Sequence, residues 1–200
     1  AYHKDQAGEV LLEDLTRALA VQDALTVLRH GFKCFGKTVR VAYFAPANKM
    51  NPETAALYAA NRLSVMRQVH YSTKKPDLSL DLVLFVNGLP VVTAELKNPM
   101  TGQTVWNAIR QYQNDRDPEE LIFRFKHRAL VHFAVDPDLA YMTTKLEGKS
   151  TWFLPFNRGH GFAAGNRPNP NGHKTAYLWE EVWQRDSLLD IIGRFLHLQV

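Results

Sequence analysis

Two hundred residues accommodate one domain, or one domain with a short appendage. An apolar share of 46% supports a real core, and no apolar run approaches the roughly 20 residues that cross a bilayer, so no membrane association is expected. A formal charge of +4 suits a polyanionic partner without demanding one. The lone Cys34 excludes an intramolecular disulfide and fits a reducing compartment, and Ala1-Tyr2-His3-Lys4-Asp5 holds no signal-peptide apolar stretch, so a cytoplasmic location is expected.

In chain order, Val10, Leu11, Leu15, Ala18, Leu19, Ala24, Leu25 and Leu28 recur at helical spacing and predict one or two helices over 8–30. Thr38 to Phe44 alternates Val39, Val41 and Tyr43 as a strand does. Asn51-Pro52-Glu53 opens a helix reaching about Asn61, with proline in its first turn. Leu63 to Tyr71 reads as a strand with Val65 and Val69 on one face. Thr101 to Arg116 predicts a helix with Val105, Ala108, Ile109 and Tyr112 on its buried side. Leu121 to Phe125 is a short connection and Ala129 to Val135 a buried strand. Asp136-Pro137-Asp138 is a turn, and Leu139 to Leu146 and Thr151 to Phe156 are further strands. Residues 157–173, rich in Gly, Asn and Pro, predict a mobile loop, and Tyr177 onward is mostly helical. Helices before, between and after the strands indicate an α/β or α+β class: a central mixed sheet flanked by helices.

The chemistry concentrates on one hairpin. Asp81 opens an apolar strand, Leu82 to Val86; Asn87-Gly88 turns the chain; Leu89 to Ala94 returns it to Glu95-Leu96-Lys97. Ionised groups rarely stand in such runs without a partner or a metal. Two carboxylates with the Leu96 carbonyl form an oxygen donor set for Mg²⁺, and a lysine beside the ion can orient or deprotonate a water that attacks a phosphodiester. Register decides whether they meet. A two-residue turn sets Asp81 opposite Ala94, whereas a loop of three or five residues sets it opposite Glu95. An odd-length loop is therefore expected if the three residues share a site. The plainer reading is a surface salt bridge, because a chain this long shows Glu-x-Lys about once by chance. A second copy, Glu147-Gly148-Lys149, lies in a turn with no strand leading into it.

Arg67, Lys74, Arg110 and Arg116 are candidates for phosphate contact, with a solvated surface as the alternative for each. The histidines lack zinc spacing. No Gly-x-x-x-x-Gly-Lys-Ser/Thr loop occurs, so any nucleotide-driven motor lies outside these residues.

The stretch from Leu80 to Pro99 closely resembles the N-terminal nuclease domain of the R (motor) subunit of type I restriction enzymes. So do Gln103 to Gln113, Leu130 to Asp136, Tyr141 to Thr144, Phe153 to Arg158, Ala176 to Trp183 and Asp186 to Asp190. The resemblance implies a PD-(D/E)xK restriction-endonuclease-like fold and Mg²⁺-dependent cleavage of double-stranded DNA without sequence recognition by this domain. It implies that Asp81 and Glu95 hold the metal and that Lys97 assists the nucleophile. The family often carries Gln-x-x-x-Tyr on the next helix. Tyr112 matches the tyrosine, Ala108 stands where the glutamine would be, and Gln111 or Gln113 is the substitute, Gln111 being offset in helical phase. An acidic residue on an early helix is a further accessory, for which Glu13 and Glu9 are candidates. The implied organisation is an endonuclease domain over 1–178 and a helical segment over 179–200 leading to an ATP-using motor domain of the same full-length chain. Methylation and specificity subunits are the implied partners. The alternative is a catalytically inactive DNA-binding or docking module that couples a translocase to its partners.

Overall fold

Residues 4–47 and 50–198 are described by a computed structural model. Ala1 to His3, and Gln199 and Val200 of the expected C-terminal helix, lie outside the described residues. The first helical stretch divides into α1 (Lys4–Val21) and α2 (Ala24–His30). Asp23 causes the division: its carboxylate accepts from Thr26 N at 2.6 Å and caps α2.

The strand expected over Thr38 to Phe44 is instead a small hairpin, β1 (Phe32–Cys34) and β2 (Lys37–Val39), turning at Phe35-Gly36 with φ of 49° and 74°. Gly31, at φ 77°, makes this possible. A Cβ there would stand 2.1 Å from the Val39 carbonyl oxygen, so only glycine lets β2 close beneath α2. α3 (Pro52–Ala59) forms as predicted, with the Asn51 side chain capping it.

The main sheet has six strands in sequence order: β3 (Leu63–His70), β4 (Ser79–Val86), β5 (Leu89–Leu96), β6 (Val131–Val135), β7 (Ala140–Thr143) and β8 (Leu154–Pro155). β5 and β6 run parallel and the other neighbours antiparallel. The parallel step is bridged by α4 (Val105–Asn114), which buries the four predicted residues Val105, Ala108, Ile109 and Tyr112 against Leu80, Val83 and Ala134. On the opposite face, Leu25 and Leu28 of α2 join Tyr177, Leu178, Leu188, Leu189 and Ile192 over Val92, Ala94, Phe133 and Val135. This is the expected mixed sheet flanked by helices. The C-terminal segment contains α5 (Arg185–Asp190) between two turns of wider helix. Its apolar side chains, Leu188, Leu189 and Ile192 among them, belong to the same core.

Further sequence expectations differ from the structure. The hairpin loop is not odd in length: Val86 pairs with Leu89 across a two-residue turn, with Asn87 and Gly88 at φ 49° and 88°. Side-chain amides hold that turn, since Asn87 Nδ2 donates to Val41 O at 2.8 Å and Asn87 Oδ1 accepts from Arg62 N at 2.7 Å. Val65 and Val69 do not share a face. Val69 packs with the α4 cluster, whereas Val65 is cross-strand from Leu84, which packs with the other. Between them Gln68 takes φ 52° and breaks the alternation. β7 and β8 are shorter than predicted, and the Thr143 hydroxyl ends β7 by donating to Lys145 O at 3.0 Å. Residues 157–173 carry no helix or longer strand, yet Asn166 ties them down by donating to Asp138 O and Asn157 Oδ1 at 2.9 and 2.7 Å.

Two buried polar groups position the elements around β5. Asp136, in the predicted turn after β6, accepts from Asp138 N, Leu139 N and Val105 N, each at 2.8 Å, and so fixes the start of α4. Asp136→Ala orphans all three donors and is expected to lower the unfolding free energy by about 2 kcal/mol or more in urea titration. Thr93 Oγ1 meets Tyr112 Oη and His132 Nδ1, each at 2.8 Å. Burial pushes the His132 imidazole down to about 3 from 6.5. Below pH 6.5 the unfolded chain takes up a proton that the folded chain refuses, so this contribution to stability is full above pH 6.5 and drains as pH falls toward 3. The difference between wild type and His132→Gln is expected to change by up to about 1.4 kcal/mol per pH unit across that window. Parallel stability profiles for the two proteins would refute it.

Candidate active site

The two carboxylates meet by a route the turn alone does not provide. From Val86↔Leu89 and Phe85↔Pro90 the ladder jumps to Leu84↔Val92, leaving Val91 as a bulge. The extra residue shifts every later pair by one. Beyond Leu82↔Ala94 the next position sets Asp81 opposite Glu95, the pairing that an odd loop was expected to supply. The bulge also explains why Val91 and Val92 are buried in the same cluster. Past it, Thr93, Glu95 and Lys97 all face α4 and the segment that follows it.

Glu95 is fully buried at 0% exposure. Its Oε1 accepts from Arg116 Nε at 2.9 Å and Nη2 at 2.6 Å. The guanidinium is buried as well; it donates to Ser79 O at 2.8 Å and Tyr71 Oη at 3.2 Å and lies over the Tyr71 ring. Arg116 was a candidate for phosphate contact. That reading is corrected: its donors are spent inside the protein, and burial at this depth tolerates a charge only beside its counter-charge. Glu95 Oε2, by contrast, is buried with no hydrogen-bond partner among the described residues. Burial pushes the Glu95 carboxyl up to about 7; Arg116 pulls it back, and the Asp81 carboxylate raises it further.

Asp81 is half-buried and gripped from both sides. Oδ2 accepts from Leu96 N at 2.8 Å on β5, and Oδ1 from Gln68 Nε2 at 3.1 Å on β3. Lys97 donates through Nζ to Gln111 Oε1 at 2.5 Å. Gln111 therefore holds the lysine despite its helical offset, whereas Tyr112 is a core residue tied to Thr93. Glu13 and Glu9 are exposed on α1 and join no group of three or more metal-ligating side chains among the described residues, so the early-helix accessory is not brought to the pair. Arg67, Lys74 and Arg110 are exposed. Glu147, of the second Glu-x-Lys, pairs with Lys145 at 2.5 Å on the surface.

These donors suit a hard divalent cation. An orphaned, buried carboxylate oxygen beside a second carboxylate is an oxygen-only pair, and Mg²⁺ is commonly held by one or two carboxylates, the remaining positions going to water and phosphate. The Gln68 contact depends on register across strands rather than on spacing along one, and the Arg116 contact on the path of the chain after α4, so spacing along the sequence reports neither.

Arg116→Met deprives a buried carboxylate of its counter-charge. The expected loss at pH 8 is about 3–5 kcal/mol in urea unfolding. Glu95 then titrates higher still, so the loss shrinks at pH 5, where its proton replaces the guanidinium. A variant as stable as wild type at pH 8 would refute the pairing.

Among the described residues no helix is long and apolar enough to cross a membrane. No curated protein and no solved structure matches the chain. A family profile described as type I restriction enzyme R protein N terminus matches residues 6–151, a span containing Asp81, Glu95, Lys97, Gln111 and Arg116. With most of its length matched, the chain belongs to the family of type I restriction enzyme R protein N-terminal domains.

Proposed function

We propose that this chain is the Mg²⁺-dependent endonuclease domain of a type I restriction R subunit, cleaving double-stranded DNA without reading its sequence. The observation that carries the reading is Asp81 set beside Glu95 at one end of β4 and β5, with Glu95 Oε2 buried and unsatisfied and Lys97 two residues on along the same strand face. Asp81, Glu95 and the Leu96 carbonyl hold the ion. Mg²⁺ bound there supplies Lewis-acid polarisation of the scissile phosphate.

The chain's own groups do the rest. The Lys97 ammonium, steadied by Gln111, orients the attacking water and offsets the charge that develops on the phosphoryl oxygens. Arg116 keeps Glu95 Oε1 occupied, so Oε2 is the oxygen left for the ion. Exposed Arg67, Lys74 and Arg110 contact the sugar-phosphate backbone without base readout. In this reading the translocation that feeds DNA to the site comes from an ATP-using motor domain of the full-length chain. Methylation and specificity subunits complete the assembly.

The test is Lys97→Ala in the full-length R subunit, assembled with its partners and given plasmid, ATP and Mg²⁺. Cleavage is expected to fall by at least about 100-fold while ATP hydrolysis and DNA binding persist. Unchanged cleavage would leave a docking or DNA-binding module instead.

A further inference from the structure

We propose that Gln68 is a positioning residue for Asp81: its side-chain amide, steadied by Ser79, sets the rotation of the carboxylate that faces the ion. The inference rests on the metal-binding reading of Asp81 and Glu95 given above.

Gln68 lies on β3 directly across from Asp81. The pairs Arg67↔Leu82 and Val69↔Leu80 flank the two residues, and the ladder skips the position between them. Its backbone sits at φ 52°, in the left-handed region that residues other than Gly, Asn and Asp seldom enter. Such strain persists where the surroundings enforce it and gathers at functional sites. Core packing does not account for it, because Gln68 is exposed.

Its polar contacts do. Ser79 Oγ donates to Gln68 Oε1 at 2.9 Å, which settles the amide orientation, and Nε2 then donates to Asp81 Oδ1 at 3.1 Å. Leu96 N holds the other oxygen from the opposite neighbouring strand. A carboxylate offers about four lone-pair sites, so one donor on each oxygen fixes its plane and still leaves acceptor capacity for a cation. The arrangement is that of an outer partner to a metal ligand, whose removal typically weakens metal binding 10–100-fold.

Calorimetric titration of Mn²⁺ into the chain and its variants tests this, with thermal unfolding in parallel. Gln68→Gly removes the amide and also relieves the left-handed backbone. It is expected to weaken Mn²⁺ binding about tenfold while the metal-free Tm stays level or rises. Gln68→Met keeps the length and the strain, deletes both amide contacts, to Asp81 and to Ser79, and is expected to weaken binding by a similar factor. If both variants bind Mn²⁺ as tightly as wild type while Asp81→Asn does not, the positioning role is wrong and the metal site stands. A lowered Tm with unchanged affinity makes Gln68 a purely structural residue and overturns the inference. If wild type and Asp81→Asn bind alike, the metal-site reading fails and this one fails with it.

Discussion

Whether Asp81 and Glu95 stand opposite each other depends on one residue of slack in β5. The Asn87-Gly88 turn, locked by amide contacts to Val41 and Arg62, commits the hairpin to a register in which Asp81 would oppose Ala94. Side chains alternate along a strand, so that register would send Glu95 to the wrong surface. Val91 absorbs the mismatch. The bulge also allows Pro90 within a central strand, because the residue that lacks an N–H lies where the ladder is already irregular. The tight turn and the site are thus compatible only through the bulge.

The corrected register creates an electrostatic problem in the core. Glu95 is inside, and Asp81 beside it repels a second negative charge. Arg116 balances one oxygen with a two-pronged contact and leaves the other bare. A fully satisfied Glu95 would be a structural ion pair with nothing to offer a ligand. A wholly unpaired one would neutralise by taking up a proton. In the half-satisfied state burial and the neighbouring Asp81 hold the carboxyl up at about 7 against the pull of Arg116. The guanidinium is the built-in counter-ion that lets a buried carboxylate be accommodated in the folded chain.

Much of this was legible in the sequence. The Asn51-Pro52-Glu53 start located α3, amphipathic spacing located α4, and short apolar runs located β6 and the central hairpin; β3 was found as a strand, but not its buried face. Charged residues flush against apolar runs singled out Asp81, Glu95 and Lys97, and the structure sets Asp81 beside Glu95. What periodicity does not carry is displacement by one residue. Pro90 inside an apolar run was a readable sign of a bulge, since proline in a central strand needs one. The left-handed turn of Gln68 left no such sign, and neither did the hairpin at Phe35-Gly36, whose strands are three residues each. Arg116 was misread for a related reason: a basic residue just past an exposed helix end looks like surface until the fold shows that the chain turns inward there.

The departure from the Gln-x-x-x-Tyr spacing that the resemblance implies has a geometric counterpart on α4. Ala108 and Gln111 are three residues apart and therefore neighbours on the helix surface. Ala108 is buried, where a long amide would have to displace core side chains, while Gln111 sits at the half-exposed margin of the same face. From that margin its carbonyl oxygen reaches Lys97, and Tyr112, one residue on, stays free to close the Thr93 and His132 network beneath the sheet. Moving the amide by nearly one helical turn separates two tasks, holding the lysine and filling the core.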